Sequence, residues 1–173
     1  MQTTSKAFEV GQKHYDLGND LYKAMLDKRM LYTCAYWKNA KNLDDAQEKK
    51  LKLTCDKLQL ENGMTLLDIG CGWGGLAKYA AENYGVKVVG ITVSKNQANY
   101  AKALCKGFPI EIRLQDYRSL NEKFDRIASL GMFEHVGYKN YKTYMKVASN
   151  CLKSDGLFLL HTIGANISLA ATE

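Results

Sequence analysis

At 173 residues, with 46% hydrophobic and 24% charged side chains, the chain has the size and balance of an ordinary single-domain globular protein with a sizeable core. No apolar run approaches the roughly 18 residues of a membrane span and the N-terminus has no signal-peptide core, so a soluble, cytoplasmic protein is expected. A formal charge of +6 fits either a lysine-rich solvated surface or an anionic partner; without an arginine-rich tract or basic-aromatic platform, a phospholipid surface suits it better and no nucleic acid is expected.

Residues 1–13 are polar and show no clear period. From His14 to Tyr22, Gly18 and Asn19 suggest a turn, and Asn19 or Asp20 can cap a short helix through Leu26. Met30 to Trp37 holds three aromatics and a cysteine with neither helical nor strand period. From Asn42 to Leu60 the pattern is helical. Asp44 and Asp45 occupy the first turn, where a helix dipole favours negative charge. Leu51, Cys55 and Leu58 recur at helical spacing, and Asn62-Gly63 is the expected C-cap.

Strands and helices then alternate. Strand Thr65–Ile69 leads to helix Trp73–Tyr84, and strand Lys87–Thr92 to helix Lys95–Cys105. A third strand, Ile110–Gln115, follows a turn at Gly107-Phe108-Pro109. Strand Phe124–Leu130 precedes helix Asn140–Leu152, and Gly156 introduces a fifth strand, Leu157–Ile163. Strands two, four and five are nearly continuous apolar runs, the pattern of a parallel sheet buried on both faces. The alternation predicts a doubly wound α/β domain. Ligands of such sheets sit beyond the carboxyl ends of the strands, which puts the segments after Ile69, Val89, Leu114, Leu130 and Leu160 on one rim. Residues 1–60 read as a helical segment ahead of the core, and 61–173 as the core itself.

On that rim, Leu66-Leu67-Asp68-Ile69-Gly70-Cys71-Gly72-Trp73-Gly74-Gly75 reads as a buried strand turning through glycines into a helix N-terminus. No side chain blocks a ligand there, and the free amides of the first helical turn face it. Gly70, Gly72 and Gly75 satisfy the dinucleotide spacing G-x-G-x-x-G. Gly70, Gly72 and Gly74 satisfy G-x-G-x-G with Asp68 ahead, which resembles the first motif of S-adenosylmethionine-dependent methyltransferases. A dinucleotide would want a carboxylate about 20 residues on, whereas the second strand ends Gly90-Ile91-Thr92-Val93-Ser94 without an acid. A purely structural turn stays open too.

After strand four comes Ser129-Leu130-Gly131-Met132-Phe133-Glu134-His135-Val136-Gly137. Base-amine methylating enzymes carry an Asn/Asp-Pro-Pro-aromatic tetrapeptide here. Pro109 is the sole proline, so that reading fails. Glu134 and His135 are either a surface pair capping the next helix or contain a carboxylate for a closed site, as base or hydrogen-bond acceptor. His161, after the fifth strand, is either a satisfied core histidine or a second rim residue. Asp16, Tyr32 and Cys34 lie upstream, where an aromatic cluster could form a lid, an acyl-chain wall or ordinary packing. Cys34 has no histidine near it in sequence, so nothing local marks it as a nucleophile. The five cysteines (Cys34, Cys55, Cys71, Cys105, Cys151) include no C-x-x-C pair, which argues against a disulfide framework and against a structural zinc site. No metal is expected.

The segments HYDLGNDLY, YTCAYW, LLDIGCGWGGLA, VVGITVSKNQ, LQDY, GMFEHVG and LLHTIG closely resemble, in order from about His14 to Gly164, the cyclopropane fatty acid synthases, including the mycolic acid cyclopropane synthases. The resemblance implies a class I, Rossmann-like methyltransferase core under an N-terminal cover (residues 1–60). It also implies S-adenosylmethionine as methyl donor, a lipid-bound cis double bond as acceptor, and bicarbonate as the base that closes the three-membered ring. An alkene is a weak nucleophile, so water must be kept out and the transient cation needs an anion nearby.

By position in the motifs, the bicarbonate holders are Cys34 and Ile163 through their backbones, with Glu134 and His161. Tyr32 and Thr33 fall at the amino-acid end of the cofactor. Asp68 and the run Gly70, Cys71, Gly72, Trp73 and Gly74 fall at its methionine part, Thr92 and Gln97 at the ribose, and Asp116 and Tyr117 beside the adenine. The implied partner is an unsaturated phospholipid at the inner face of a membrane, with a homodimer as a further expectation. A methyltransferase acting on a small amine or phosphobase, or a non-catalytic cofactor-binding module, is the alternative. Two sheet strands and a tyrosine of the bicarbonate site fall beyond Glu173 in that family. A C-terminally trimmed chain that binds cofactor with little or no turnover is therefore expected.

Overall fold

The computed structural model describes residues 19–164. Asp16, the Gly18 turn and the polar start of the chain lie outside the described residues. In chain order the elements are α1 (Asn19–Met25), α2 (Leu43–Lys57), β1 (Thr65–Ile69), α3 (Gly75–Tyr84), β2 (Lys87–Thr92), α4 (Lys95–Leu104), β3 (Ile110–Leu114), β4 (Phe124–Leu130), α5 (Tyr141–Cys151) and β5 (Leu152–His161). The five strands are parallel, in the order β3-β2-β1-β4-β5. This is the doubly wound arrangement that the alternation predicts. Order reverses at β1, so a crevice opens between the carboxyl ends of its neighbours.

β1 lies at the centre because it is apolar on both faces. Leu66 joins Leu51, Cys55, Leu58, Leu76 and Ala80 on one side of the sheet. Leu67 and Ile69 point the other way, to Ile91, Ile127, Tyr144 and Phe124. Successive residues of a strand face opposite sides, so apolar residues on both faces of β1 fit only where both are covered, and Asp68 within the strand is buried with them. Leu66 and Leu67 are wholly buried. Among the described residues no helix is long and apolar enough to cross a membrane.

Four local expectations are corrected. The helix after Asn42 is capped as expected, Asn42 Oδ1 accepting from Asp45 N at 2.9 Å, but it ends at Lys57. Gln59 takes the left-handed conformation (φ +49), and Leu60 N reaches back to Cys55 O at 3.2 Å. Gln59, rather than Asn62-Gly63, therefore closes that helix. α3 starts at Gly75 rather than Trp73, because Gly70, Gly72 and Gly74 hold φ of +84, +55 and +88, angles foreign to a right-handed helix. β5 starts at Leu152, directly after α5, and stops at His161, so Thr162 and Ile163 lie past its end. β5 is also the outermost strand among the described residues and only partly buried. Leu159 packs against one core cluster and Phe158 and Leu160 against the other, but none of them is fully buried.

Candidate functional site

A cleft of about 150 Å³ lies over the carboxyl ends of β1, β2, β3 and β4. The glycine turn forms its floor. Gly70 N and Cys71 N both donate to Ile91 O, at 3.0 and 2.9 Å, pinning the turn to β2. Met132, from the loop after β4, lies so close to Gly70 that a Cβ there would be 2.8 Å from Met132 Cγ. Gly70, Cys71 and Gly72 line the cleft. Gly74 does not: a Cβ on it would meet Ala101 Cβ and Cys105 Sγ at 3.1 Å, so it lets α4 pack against the turn.

Trp73 lines the cleft but points its indole at the N-terminal segment. Its Nε1 donates to Asn19 Oδ1 at 2.9 Å, its ring lies 4.7 Å from that of Tyr22, and Tyr22 meets Tyr32 edge-on at 5.5 Å. α1 and the 30–33 loop are thereby stapled over the glycine turn. Asp68 is 2% exposed between Gly90 and Ala128 of the neighbouring strands. Burial raises its carboxyl pKa to about 7, and Oδ2 has no partner among the described residues.

At the β2 end, Thr92 Oγ1 donates to Gln97 Oε1 at 2.8 Å and accepts from Ser94 N at 3.2 Å. Ser94 Oγ caps α4 by accepting from Gln97 N at 3.2 Å. With its oxygen engaged, Gln97 has its amide N–H groups to offer a ligand. Beyond β3, Asp116 caps the turn Tyr117–Ser119 and pairs with Arg118 Nη2 at 2.7 Å. Burial pushes the Asp116 carboxyl up, but the Arg118 hydrogen bonds outweigh it and hold the pKa below the usual range. Tyr32, Thr33, Thr92, Gln97, Asp116 and Tyr117 all line the cleft.

A second cluster adjoins this cleft without lining it. In the β4–β5 register His161 pairs with Leu130, and Gly131 N donates to His161 O at 2.9 Å. Cys34 Sγ lies 3.4 Å from His161 Nε2 across 127 positions of sequence. Thr162 Oγ1 donates to Glu134 Oε2 at 3.0 Å. Cys34, Glu134 and His161 are thus drawn to one end of the rim, Glu134 through Thr162 rather than through the imidazole. Ile163 follows directly and is 79% exposed, and Cys34 is exposed as well. His161 Nδ1 is buried without a partner among the described residues. Gly131 is the hinge between the two clusters: its φ is +65, and a Cβ there would overlap Thr33 Cγ2.

Sequence reasoning missed the residues behind the 31–34 loop. Asp27 carboxylate oxygens accept from Leu31 N at 2.8 Å and Arg29 N at 3.0 Å. Gln47 Nε2 donates to Leu31 O and Thr33 O at 3.2 and 3.0 Å. Lys50 Nζ donates to Thr33 Oγ1 at 2.6 Å. The available signal was that Gln47, Lys50 and Thr54 follow helical spacing beside the Leu51–Cys55 stripe. His135, Ser94 and Met132 also line the cleft. Among the described residues no group of three His, Cys, Asp or Glu could hold a metal ion, and all five cysteines are free.

Chemically, the cleft offers a bare backbone floor, an unpaired acid and an amide donor set. Beside it lies an imidazole–thiol pair with a carboxylate. Residues 2–172 match the family model described as mycolic acid cyclopropane synthetase. The chain is 59% identical over 165 residues to the cyclopropane-fatty-acyl-phospholipid synthase of Escherichia coli K12, covering 95% of this chain and 43% of that protein. It is 44% identical over 161 residues to the S-adenosylmethionine-dependent methyltransferase UmaA of Mycobacterium tuberculosis, covering 90% and 56%. Among solved structures, the cyclopropane synthase MmaA2 of M. tuberculosis superposes with a TM-score of 0.85 at 41% identity, covering 90% of this chain and 56% of that one. Coclaurine N-methyltransferase bound to N-methylheliamine and SAH superposes at 0.83 with 28% identity, covering 91% and 47%. The chain spans about half the length of the relatives it matches.

Proposed function

Because the chain belongs to the mycolic acid cyclopropane synthetase family, we propose that it carries the cofactor-binding part of an S-adenosylmethionine-dependent enzyme. That enzyme bridges the cis double bond of an unsaturated phospholipid acyl chain with a methylene group, using bicarbonate as base. The observation that carries this reading is the shared wall of Thr33 and Gly131, which sets the Cys34, Glu134 and His161 cluster against the cleft. S-adenosylmethionine would supply the electrophilic methyl group. The residues fit it: the floor at Gly70 leaves no side chain in the way, and Asp68 Oδ2 is buried with no partner among the described residues.

In this reading Tyr32 and Thr33 hold the amino-acid end, and Asp68 with Gly70, Cys71, Gly72 and Trp73 holds the methionine part, while Gly74 serves the packing of α4 instead. Thr92 and Gln97 take the ribose, and Asp116 and Tyr117 flank the adenine. Residues 1–60 act as the cover over residues 61–173. Bicarbonate would supply the base for the proton lost on ring closure. Cys34 and Ile163 would hold it through their backbones, with Glu134 and with His161, whose Nδ1 is buried without a partner among the described residues. Placement matters more than base strength here, because the acidic proton belongs to a transient cation that must be met within contact distance.

The likeness to coclaurine N-methyltransferase favours one alternative, methyl transfer to a small amine. Mass spectrometry of lipids from cells expressing the gene that encodes this sequence decides between them. The first reading expects one methylene gained on unsaturated acyl chains, and gain on an amine alone would overturn it. In the intact enzyme, Glu134→Gln is expected to lower turnover about 100-fold or more with cofactor affinity unchanged. Unaltered turnover would remove Glu134 from the reaction.

We also propose peripheral contact with the inner face of a membrane. Tyr138, Tyr141 and Met145 are exposed next to Lys139, Lys142 and Lys146, and residues 135–154 contain no acid. Phe133, beside Glu134, stacks on Tyr141 at 4.1 Å, which joins this face to the rim. Each lysine near an anionic surface contributes about 1 kcal/mol. Changing all three to glutamate should therefore weaken binding to phosphatidylglycerol vesicles at low salt by about 100-fold. Equal binding of the variant and the parent would rule this face out.

A further inference from the structure

Lys50 carries a charge that the proposed chemistry leaves unused. It sits on the inward face of α2 with Ala46, Gln47, Leu51, Thr54 and Cys55, is 7% exposed, and donates from Nζ to Thr33 Oγ1 at 2.6 Å. Burial is the main influence on its ammonium and lowers the pKa to about 8, against the opposing pull of Asp27 and Cys34. The loop does not need this charge to stay in place. Gln47, one turn earlier, already holds Leu31 O and Thr33 O, and Asp27 holds Leu31 N. An apolar side chain of similar length would fill the same space without the desolvation cost.

What the ammonium changes is the polarity of Thr33. A hydroxyl has one proton and two lone pairs. Once Lys50 occupies a lone pair, the hydroxyl's own proton is directed to another acceptor, and Thr33 lines the cleft. We propose that Lys50 is a positioning residue that fixes the Thr33 hydroxyl as a hydrogen-bond donor to the cleft, making that end a receptor for a carboxylate. The inference rests on the reading of the cleft as an S-adenosylmethionine site, whose ligand carries its carboxylate on the amino-acid end. A donor backed by a charge is worth more than a neutral one.

Calorimetry with two ligands tests this. S-adenosylhomocysteine carries the carboxylate, whereas 5′-methylthioadenosine lacks the whole amino-acid end. Lys50→Met should weaken S-adenosylhomocysteine binding about tenfold or more and leave 5′-methylthioadenosine within about twofold of the parent. Lys50→Arg, which keeps a donor cation, should restore most of the loss. Thr33→Val should match Lys50→Met, and the double variant should lose no more than either single one, since the two act through one contact. Equal loss for both ligands would show a merely structural role and overturn the assignment, as would unchanged S-adenosylhomocysteine affinity in Lys50→Met. If the parent binds neither ligand, the cofactor reading itself fails and takes this inference with it.

Discussion

Asp68→Asn should stabilise the chain by up to about 4 kcal/mol at pH 8 and should gain nothing below about pH 4. Burial raises the carboxyl from 3.8 to about 7, and at about 1.36 kcal/mol per pH unit the gap between folded and unfolded chains sets that ceiling. The direction follows from proton uptake. Between about pH 4 and 7 the folded chain holds a proton that the unfolded chain has released, so stability falls as pH rises through this window and then levels off. Neutral asparagine escapes the penalty, although a buried amide with unmet hydrogen bonds returns part of the gain.

Urea unfolding at pH 4, 6 and 8 reads the difference directly, and an offset independent of pH would show that Asp68 is not buried as an acid. The same variant should bind S-adenosylhomocysteine about 10-fold to 100-fold more weakly, because an unpaired carboxylate oxygen at the glycine turn is an acceptor waiting for a ligand donor. Stability and binding moving in opposite directions is the mark of a site residue kept at a thermodynamic cost.

Gly131→Ala should cost about 3 kcal/mol and weaken cofactor binding as well. Two penalties add at this position. The backbone sits at φ +65, where a Cβ costs about 1–2 kcal/mol. The new methyl would also overlap Thr33 Cγ2, and overpacking of this kind costs about 1–3 kcal/mol. Gly107 is the internal control, with φ +90 and nothing within 4 Å of an added Cβ, so Gly107→Ala should show the cost of a positive φ without the overlap. Denaturation midpoints of the two variants compare them. Should Gly131→Ala cost no more than Gly107→Ala, the 31–34 loop does not pack on the β4 rim as described. Should it cost more, the cleft and the Cys34–His161 pair share one wall, and displacing Thr33 disturbs both.

The features legible in the sequence are those written in neighbouring residues. The β1 run is apolar on both faces, the glycines after it leave the helical region of backbone space, and Asn42 caps a helix whose first turn is acidic. Each follows from strand period, turn chemistry or dipole, all of which act within a few residues. From these came the alternation, the order of elements and the rim on which Asp68, Gly70, Thr92 and Leu130 lie. The G-x-G-x-G turn after Asp68 narrowed the cofactor for the same reason, since a bare backbone at a helix start is a local property.

The tertiary structure decided what joins residues far apart. His161 and Cys34 are separated by 127 positions and meet only because β5 lies beside β4. Glu134 reaches the same end through Thr162, to which the sequence reading gave no role. Gly74 turns to α4 rather than to the cleft, and β5, outermost among the described residues, is only partly buried despite its apolar run, because burial depends on what lies opposite and not on the strand alone. Lys50 is the sharpest case. A lysine on a helix reads as a solvated charge until Thr33 is found against it, since the sequence records the ammonium but not the depth at which folding leaves it.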